Sequence, residues 1–247
     1  MGNFTAPGDF PRAILDLLLP RECIVCGRVL ARRERYICTG CLADLPLTHY
    51  SRMSRNPMAD RLNAMIARSP APVPERYSYA TALFFYRSGY KDITRCLKYK
   101  GDIKAGCFFA GILGNEMAGS ELFRDVDMVV PVPLHWSRKW SRGYNQAEVI
   151  AKEIARRLGA ELRTDLLFRP RRTRTQTRLP VSQKVANVEG AFRFRKGMVL
   201  PGELHHILIV DDVFTTGATS WSCYKVLKGI CSPRTRISVA TLACVGE

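Results

Sequence analysis

One stretch, Ile207-Leu208-Ile209-Val210-Asp211-Asp212-Val213-Phe214-Thr215-Thr216-Gly217-Ala218-Thr219, constrains the fold more than any other. Its four leading aliphatic residues predict a strand buried on both faces of a sheet, because a half-exposed strand alternates apolar with polar residues. Two carboxylates end the strand, and a loop of Thr and Gly follows. Apolar residues at helical spacing then run from Ala218 to Leu227, until Gly229 stops them. In open α/β sheets ligands lie off the carboxyl ends of the strands, and a helix start offers backbone N–H groups to an anion. Gly217 lets the backbone approach closely, and Thr215, Thr216 and Thr219 add hydroxyl donors. Asp211 and Asp212 are placed to accept hydrogen bonds from sugar hydroxyls. The ligand this pattern predicts is a sugar phosphate. A Walker loop would need Gly-Lys-Ser/Thr, and a dinucleotide fingerprint would need Gly-x-Gly-x-x-Gly; neither is present in the stretch.

The 247 residues suffice for one α/β domain and a small module. Lys and Arg number 38 against 22 acidic residues, a formal charge of +16, which favours anionic partners such as nucleotides, pyrophosphate or nucleic acid. The plainer reading of that charge is a soluble basic surface. A short apolar patch, Ala13 to Leu19, is broken by Asp16, too early for a membrane span or a secretory core, so the expected location is the cytoplasm.

Nine cysteines in a reducing compartment need a use other than disulfides. Cys23, Cys26, Cys38 and Cys41 form two Cys-x-x-Cys knuckles with eleven residues between them. Each tight turn can aim two thiolates at one metal, and two such turns complete a tetrahedral shell, with zinc as the expected ion. A redox pair and two disulfides are the rival readings. Four thiolates leave no open position, so the zinc would be structural. Gly27 and Gly40 are expected to give the turns their backbone freedom. Pro11 to Leu19 reads as a short amphipathic helix before the ribbon.

From residue 51 to residue 76 the pattern loosens, and Pro57, Pro70, Pro72 and Pro74 stiffen it. The expected organisation is a helix and four-cysteine zinc ribbon over 1–50, a linker over 51–76 with one helix at Met58 to Ala67, and the main domain over 77–247. Within that domain Tyr79 to Tyr86 and Asp127 to Pro133 read as strands, and Tyr90 to Tyr99, Ala105 to Met117 and Ala147 to Leu158 as helices. Leu134 to Gln146 reads as a loop with three cations and two Trp; His135 in it is expected to be a polar loop residue rather than a general base. Arg169 to Arg178, RPRRTRTQTR, shows no apolar period and reads as a mobile loop.

The stretch Val210 to Thr219 resembles the phosphoribosyl pyrophosphate (PRPP) motif of type I phosphoribosyltransferases. The cysteine knuckles, Leu97-Lys98-Tyr99-Lys100-Gly101-Asp102, Pro131-Val132-Pro133-Leu134, Arg142-Gly143-Tyr144-Asn145-Gln146-Ala147, Gln176-Thr177-x-Leu179 and Asn187-x-x-Gly190-Ala191-Phe192 extend the likeness over nearly the whole chain, to the ComF family of competence-associated, phosphoribosyltransferase-like bacterial proteins. The resemblance implies a mostly parallel sheet flanked by helices with the zinc ribbon at its N-terminal side. It implies PRPP bound by Val210, Asp211, Asp212, Thr215, Thr216, Gly217, Ala218 and Thr219, with Asp211 and Asp212 as the catalytic pair and Mg²⁺ accompanying the PRPP. Pro133, Leu134, Arg138, Lys139 and Arg142 would form the pyrophosphate loop. Arg174, Gln176, Arg178, Lys184 and Asn187 would belong to a flexible loop closing over the diphosphate; at Lys184 the family more often has Arg, and Lys keeps the charge without the bidentate geometry. Two functions follow from the resemblance and the charge: a phosphoribosyltransferase of unassigned acceptor, or a module that binds single-stranded DNA or DNA-uptake proteins and uses the fold as scaffold or PRPP sensor.

Overall fold

A computed structural model describes residues 20–69, 76–170 and 190–246. The amphipathic segment Pro11 to Leu19 and the arginine loop from residue 171 lie outside the described residues. In chain order the elements are α1 (Thr39–Ala43), α2 (Pro57–Ala67), β1 (Ala80–Phe85), α3 (Lys91–Arg95), α4 (Ile103–Ala118), β2 (Met128–Pro131), α5 (Trp136–Arg142), α6 (Gln146–Leu158), β3 (Glu161–Leu162), β4 (Leu167–Phe168), β5 (Arg193–Phe194), β6 (His206–Phe214), α7 (Ala218–Lys228) and β7 (Arg236–Cys244).

Five strands form one parallel sheet in the order β1-β7-β6-β2-β3, the α/β class predicted from the strand–loop–helix motif. β6 is central, and the period of two along it divides the core. Ile207 and Ile209 face one side with Met58, Leu62, Cys223 and Leu227 from α2 and α7. Leu208 and Val210 face the other with Phe109, Leu113, Ile150 and Ile154 from α4 and α6. The result is helices on both faces of a mostly parallel sheet, and the connections leaving β2 and β6 run outward in opposite directions. That reversal opens a crevice between the carboxyl ends of these two strands.

Several expectations are corrected. β6 runs two residues past the acidic pair expected to end it, with Asp211 registered on Thr241 and Phe214 on Cys244. The helix expected at Met58 to Ala67 is present as α2, begun one residue earlier by the Asn56 side chain accepting from Ala59 N, with Met58, Ala59, Leu62 and Ile66 buried in the core. Pro57 sits at the first helical position, where its missing N–H costs nothing, so this proline starts a helix instead of breaking one. Residues 136–142, expected as loop, form α5, capped by His135 and closed by Gly143 at φ +79°. The predicted helix Tyr90 to Tyr99 is α3 followed by a π-helical turn over Cys96–Lys100, closed by Gly101 at φ +69°.

The ribbon packs against the sheet domain. Cys23, Leu30, Ile37, Cys38 and Leu45 share one apolar cluster with Leu83, Phe84, Ile93 and Phe109. Tyr90 donates its hydroxyl to the Cys41 carbonyl at 3.2 Å, and the Phe85 amide donates to the Pro46 carbonyl at 2.9 Å. Among the described residues, no helix is long and apolar enough to cross a membrane.

Candidate functional site

The crevice at the ends of β2 and β6 is a cavity of about 320 Å³. Asp211, Asp212, Val213, Thr215 and Thr219 line it from β6 and its loop; Val132, Pro133, Leu134, Arg138 and Arg142 line it from the segment after β2. Adjacent strand residues point to opposite faces, so the two carboxylates diverge and meet different partners. Asp212 Oδ2 takes the Lys98 ammonium at 2.7 Å. Asp211 Oδ1 accepts from the Asp212 amide at 2.9 Å. Burial and then the charge of Asp212 push the Asp211 carboxyl up to about 7. Burial works against the Lys98 charge, but the neighbouring Asp212 and Asp211 outweigh it and hold the ammonium above the usual lysine range. Arg169 completes the wall; burial and the nearby Arg138 lower its guanidinium below its usual range.

At the helix end, Gly217 stands at φ +81° as the N-cap of α7, with no side-chain cap. A Cβ there would lie 2.7 Å from Met65 Cε and from Phe214 Cζ, so this position requires glycine on both conformational and steric grounds. Thr215 offers its carbonyl to Arg61 of α2 at 3.1 Å, which pins the loop from behind. Thr216 Oγ1 reaches the Ala218 amide at 3.4 Å. Val210 and Ala218 are buried beneath the loop, and the Val210 carbonyl accepts from Val132 N at 2.8 Å, tying the two lips of the crevice together.

The segment after β2 divides. Pro133, Leu134, Arg138 and Arg142 face the cavity, whereas the Lys139 ammonium turns to Glu148 at 3.1 Å. His135 is buried, and its Nδ1 lies 2.8 Å from Ser137 Oγ, where it caps α5, in keeping with its reading as a polar residue of the segment. Arg174, Gln176, Arg178, Lys184 and Asn187 lie outside the described residues. Two charged contributors carried no site assignment in the sequence: Lys98 and Arg169. Lys98 was visible as part of the Leu97-to-Asp102 motif, but only the π turn that swings it under β6 reveals its partner.

The second constellation is the ribbon. One ligand atom from each of Cys23, Cys26, Cys38 and Cys41 lies within 4.8 Å of all the others, and all four thiols are free of disulfides. The Cys38 amide points at Cys23 Sγ and the Cys41 amide at Cys38 Sγ, both at 3.4 Å. That amide of Cys41 is the main cause lowering the Cys38 thiol to about 6, while burial and the adjacent thiols push Cys41 up. Four sulfurs this close cannot ionise together without a cation, and a tetrahedral thiolate shell fits zinc. Gly27 stands at φ +73° as expected; Gly40 instead lies within α1 and needs no special backbone conformation. Glu34 braces the knuckles: it accepts from the Thr39 and Ala31 amides, each at 2.7 Å, which lowers its carboxyl to about 2.

Comparison with known proteins gives the following. Residues 14–52 match the double zinc ribbon domain family. The DNA utilization protein YhgH of Escherichia coli strain K12 is 38% identical over 93 residues, which span 38% of this chain and 39% of that protein. The alignment to that relative therefore covers about two fifths of its length. YhgH of Escherichia coli O6:H1 is 28% identical over 200 residues, 80% of this chain and 79% of the other. Competence protein ComFC of Streptococcus pneumoniae is 31% identical over 147 residues, 60% of each chain. A crystal structure of adenine phosphoribosyltransferase overlaps 74% of this chain and 89% of its own at 14% identity and a TM-score of 0.35, a likeness too faint to add to the strand order itself. The resemblance read from the motifs agrees with the names of these relatives.

Proposed function

We propose, on the premise that the chain is a homologue of the ComF-type competence proteins, that its crevice binds PRPP and that the protein handles DNA during competence. In this reading residues 1–50 are the ribbon module, 77–247 the phosphoribosyltransferase-like domain and 51–76 the chain between them. One observation carries the reading: an acidic pair, a glycine-started helix and guanidinium groups converge on one cavity at the switch point of a parallel sheet. Asp211 and Asp212 would accept the ribose hydroxyls, and the loop Thr215 to Thr219 would hold the 5′-phosphate. Arg138 and Arg142 would face the diphosphate, for which a guanidinium fork is suited. Mg²⁺ arriving with PRPP would supply charge neutralisation on the diphosphate beside Arg138 and Arg142. The carboxylates would stabilise positive charge growing at C1 as the diphosphate leaves, so the chain's contribution is positional and electrostatic.

The Lys98–Asp212 ion pair supports a second reading, binding without turnover, because an ammonium on one carboxylate weakens the pair's hold on a positive centre. DNA handling is supported by the relatives' names and by the charge of +16. A thermal-shift series tests both. PRPP with Mg²⁺ raises the melting temperature of the wild type by linkage, and Asp211→Asn/Asp212→Asn abolishes the rise. Pyrophosphate release in the same samples marks turnover; a full shift with no release selects the second reading. No shift in the wild type refutes PRPP binding.

A further inference from the structure

Two carboxamides stand side by side at the start of α6, and both are buried: Asn145 is 3% exposed and Gln146 4%. Asn145 commits both ends of its amide to the protein. Its Oδ1 accepts from the Ala147 amide at 3.1 Å, which caps α6, and its Nδ2 donates to the Val132 carbonyl at 3.0 Å. Gln146 differs: its Nε2 is buried and has no hydrogen-bond partner among the described residues. An unpaired buried donor is destabilising, and native chains satisfy nearly all of theirs, so the missing acceptor points to a group the chain itself does not supply. Gln146 lines the same crevice as Lys98, Asp212, Arg138 and Arg142, which is where such a group would enter.

The walls of the crevice decide what the acceptor is. Lys98 and the guanidinium groups of Arg138, Arg142 and Arg169 outnumber the two carboxylates, so the cavity favours an anion. A phosphoryl oxygen only accepts, whereas a sugar hydroxyl also donates and finds Asp211 and Asp212 for that purpose. The start of α6 adds little by itself, because Glu148 already places a negative charge in its first turn. We infer that Gln146 is a specificity-determining residue, whose Nε2 donates to a diphosphate oxygen and so favours a diphosphorylated pentose over the pentose 5-phosphate. This rests on the PRPP binding proposed above and deepens it: the guanidinium groups attract the diphosphate by charge, and Gln146 adds a neutral donor fixed in position by its burial.

The test titrates the full chain by calorimetry with PRPP and Mg²⁺, with pyrophosphate and Mg²⁺, and with ribose 5-phosphate, in the wild type, Gln146→Met and Gln146→Glu. Methionine matches glutamine in length and helix preference and offers no donor; glutamate keeps the shape and puts an acceptor where the donor was. Gln146→Met weakens PRPP and pyrophosphate by about 10- to 100-fold, as expected for a hydrogen bond to a charged group, and leaves ribose 5-phosphate within about twofold. Its melting temperature without ligand equals or exceeds that of the wild type, because the orphan donor is gone; a residue that served only the fold would lower it. Gln146→Glu weakens PRPP more than Gln146→Met does, since two acceptors repel, whereas a hydroxyl partner would donate to the glutamate and keep the affinity. A PRPP affinity of Gln146→Met within about twofold of the wild type, an equal loss for ribose 5-phosphate, or binding retained by Gln146→Glu would overturn the inference while PRPP binding stands. Pyrophosphate bound by a wild type that ignores PRPP, and lost in Gln146→Met, would refute the PRPP reading and leave the donor in its role. A wild type that binds none of the three refutes both.

Discussion

The ribbon gathers four thiols within 4.8 Å of one another; the crevice gathers two carboxylates, an ammonium and three guanidinium groups around about 320 Å³ of open space. In the ribbon a single divalent ion satisfies every ligand, and nothing is left for a further partner. In the crevice the charges surround open space: Lys98 pairs with Asp212, while Asp211 is pushed up to about 7 by burial and its neighbour. A closed metal shell serves folding, and charged groups with a perturbed carboxyl beside a cavity are poised for a ligand.

The largest effect is expected where the comparison is broken at the ribbon. Cys38→Ser, or a strong chelator, should remove most of a metal contribution that runs to about 10 kcal/mol or more in small zinc domains. Because Cys23 and Cys38 share a cluster with Phe84 and Phe109, the loss should reach the sheet domain as a broad drop in melting temperature, checked by scanning calorimetry with a thiol count. A sharp, unchanged main transition would show that the ribbon is merely appended.

Next comes Lys98→Ala, which strands Asp212. Breaking a buried pair costs about 3–5 kcal/mol, and partial exposure of both side chains brings the expected loss to roughly half of that, measured by urea unfolding. A comparable or smaller loss, about 1–3 kcal/mol, is expected for Gly217→Ala, from a left-handed backbone and contacts with Met65 and Phe214. The most gradual effect is a pH dependence. Asp211 binds its proton more tightly folded than unfolded, so its contribution to stability is complete below about pH 4 and is lost as pH rises through about 7. Asp211→Asn should therefore gain on the wild type by about 5–10 °C between pH 5 and pH 8, followed by thermal melts. A constant difference across that range would mean that Asp211 is ionised throughout.

Much of this molecule was legible because its signals are local. The aliphatic run into β6 and the stop at Gly229 needed only period and composition, and the knuckles needed only spacing. β7, by contrast, escaped notice: Ser238 and Thr241 interrupt its apolar residues, yet both are fully buried. Ser238 lies 2.7 Å from His206 Nε2, and His206 Nδ1 lies 2.7 Å from Asp125, a polar relay assembled from residues 81 positions apart. Lys98 was hidden for the same reason, since its partner is 114 positions along the sequence and a π turn sets its direction. Helix α5 was missed because its cap is a histidine and its seven residues carry no apolar stripe to announce a helix.

The central claim is that the crevice at the ends of β2 and β6 seats a phosphorylated pentose. Calorimetric titration of PRPP with Mg²⁺ into the full wild-type chain, its four ribbon thiols first shown to be metal-protected, measures this directly. The account predicts a saturable, one-to-one heat that Asp211→Asn/Asp212→Asn removes. A flat titration with the ribbon intact, or an unchanged heat in that variant, would contradict it.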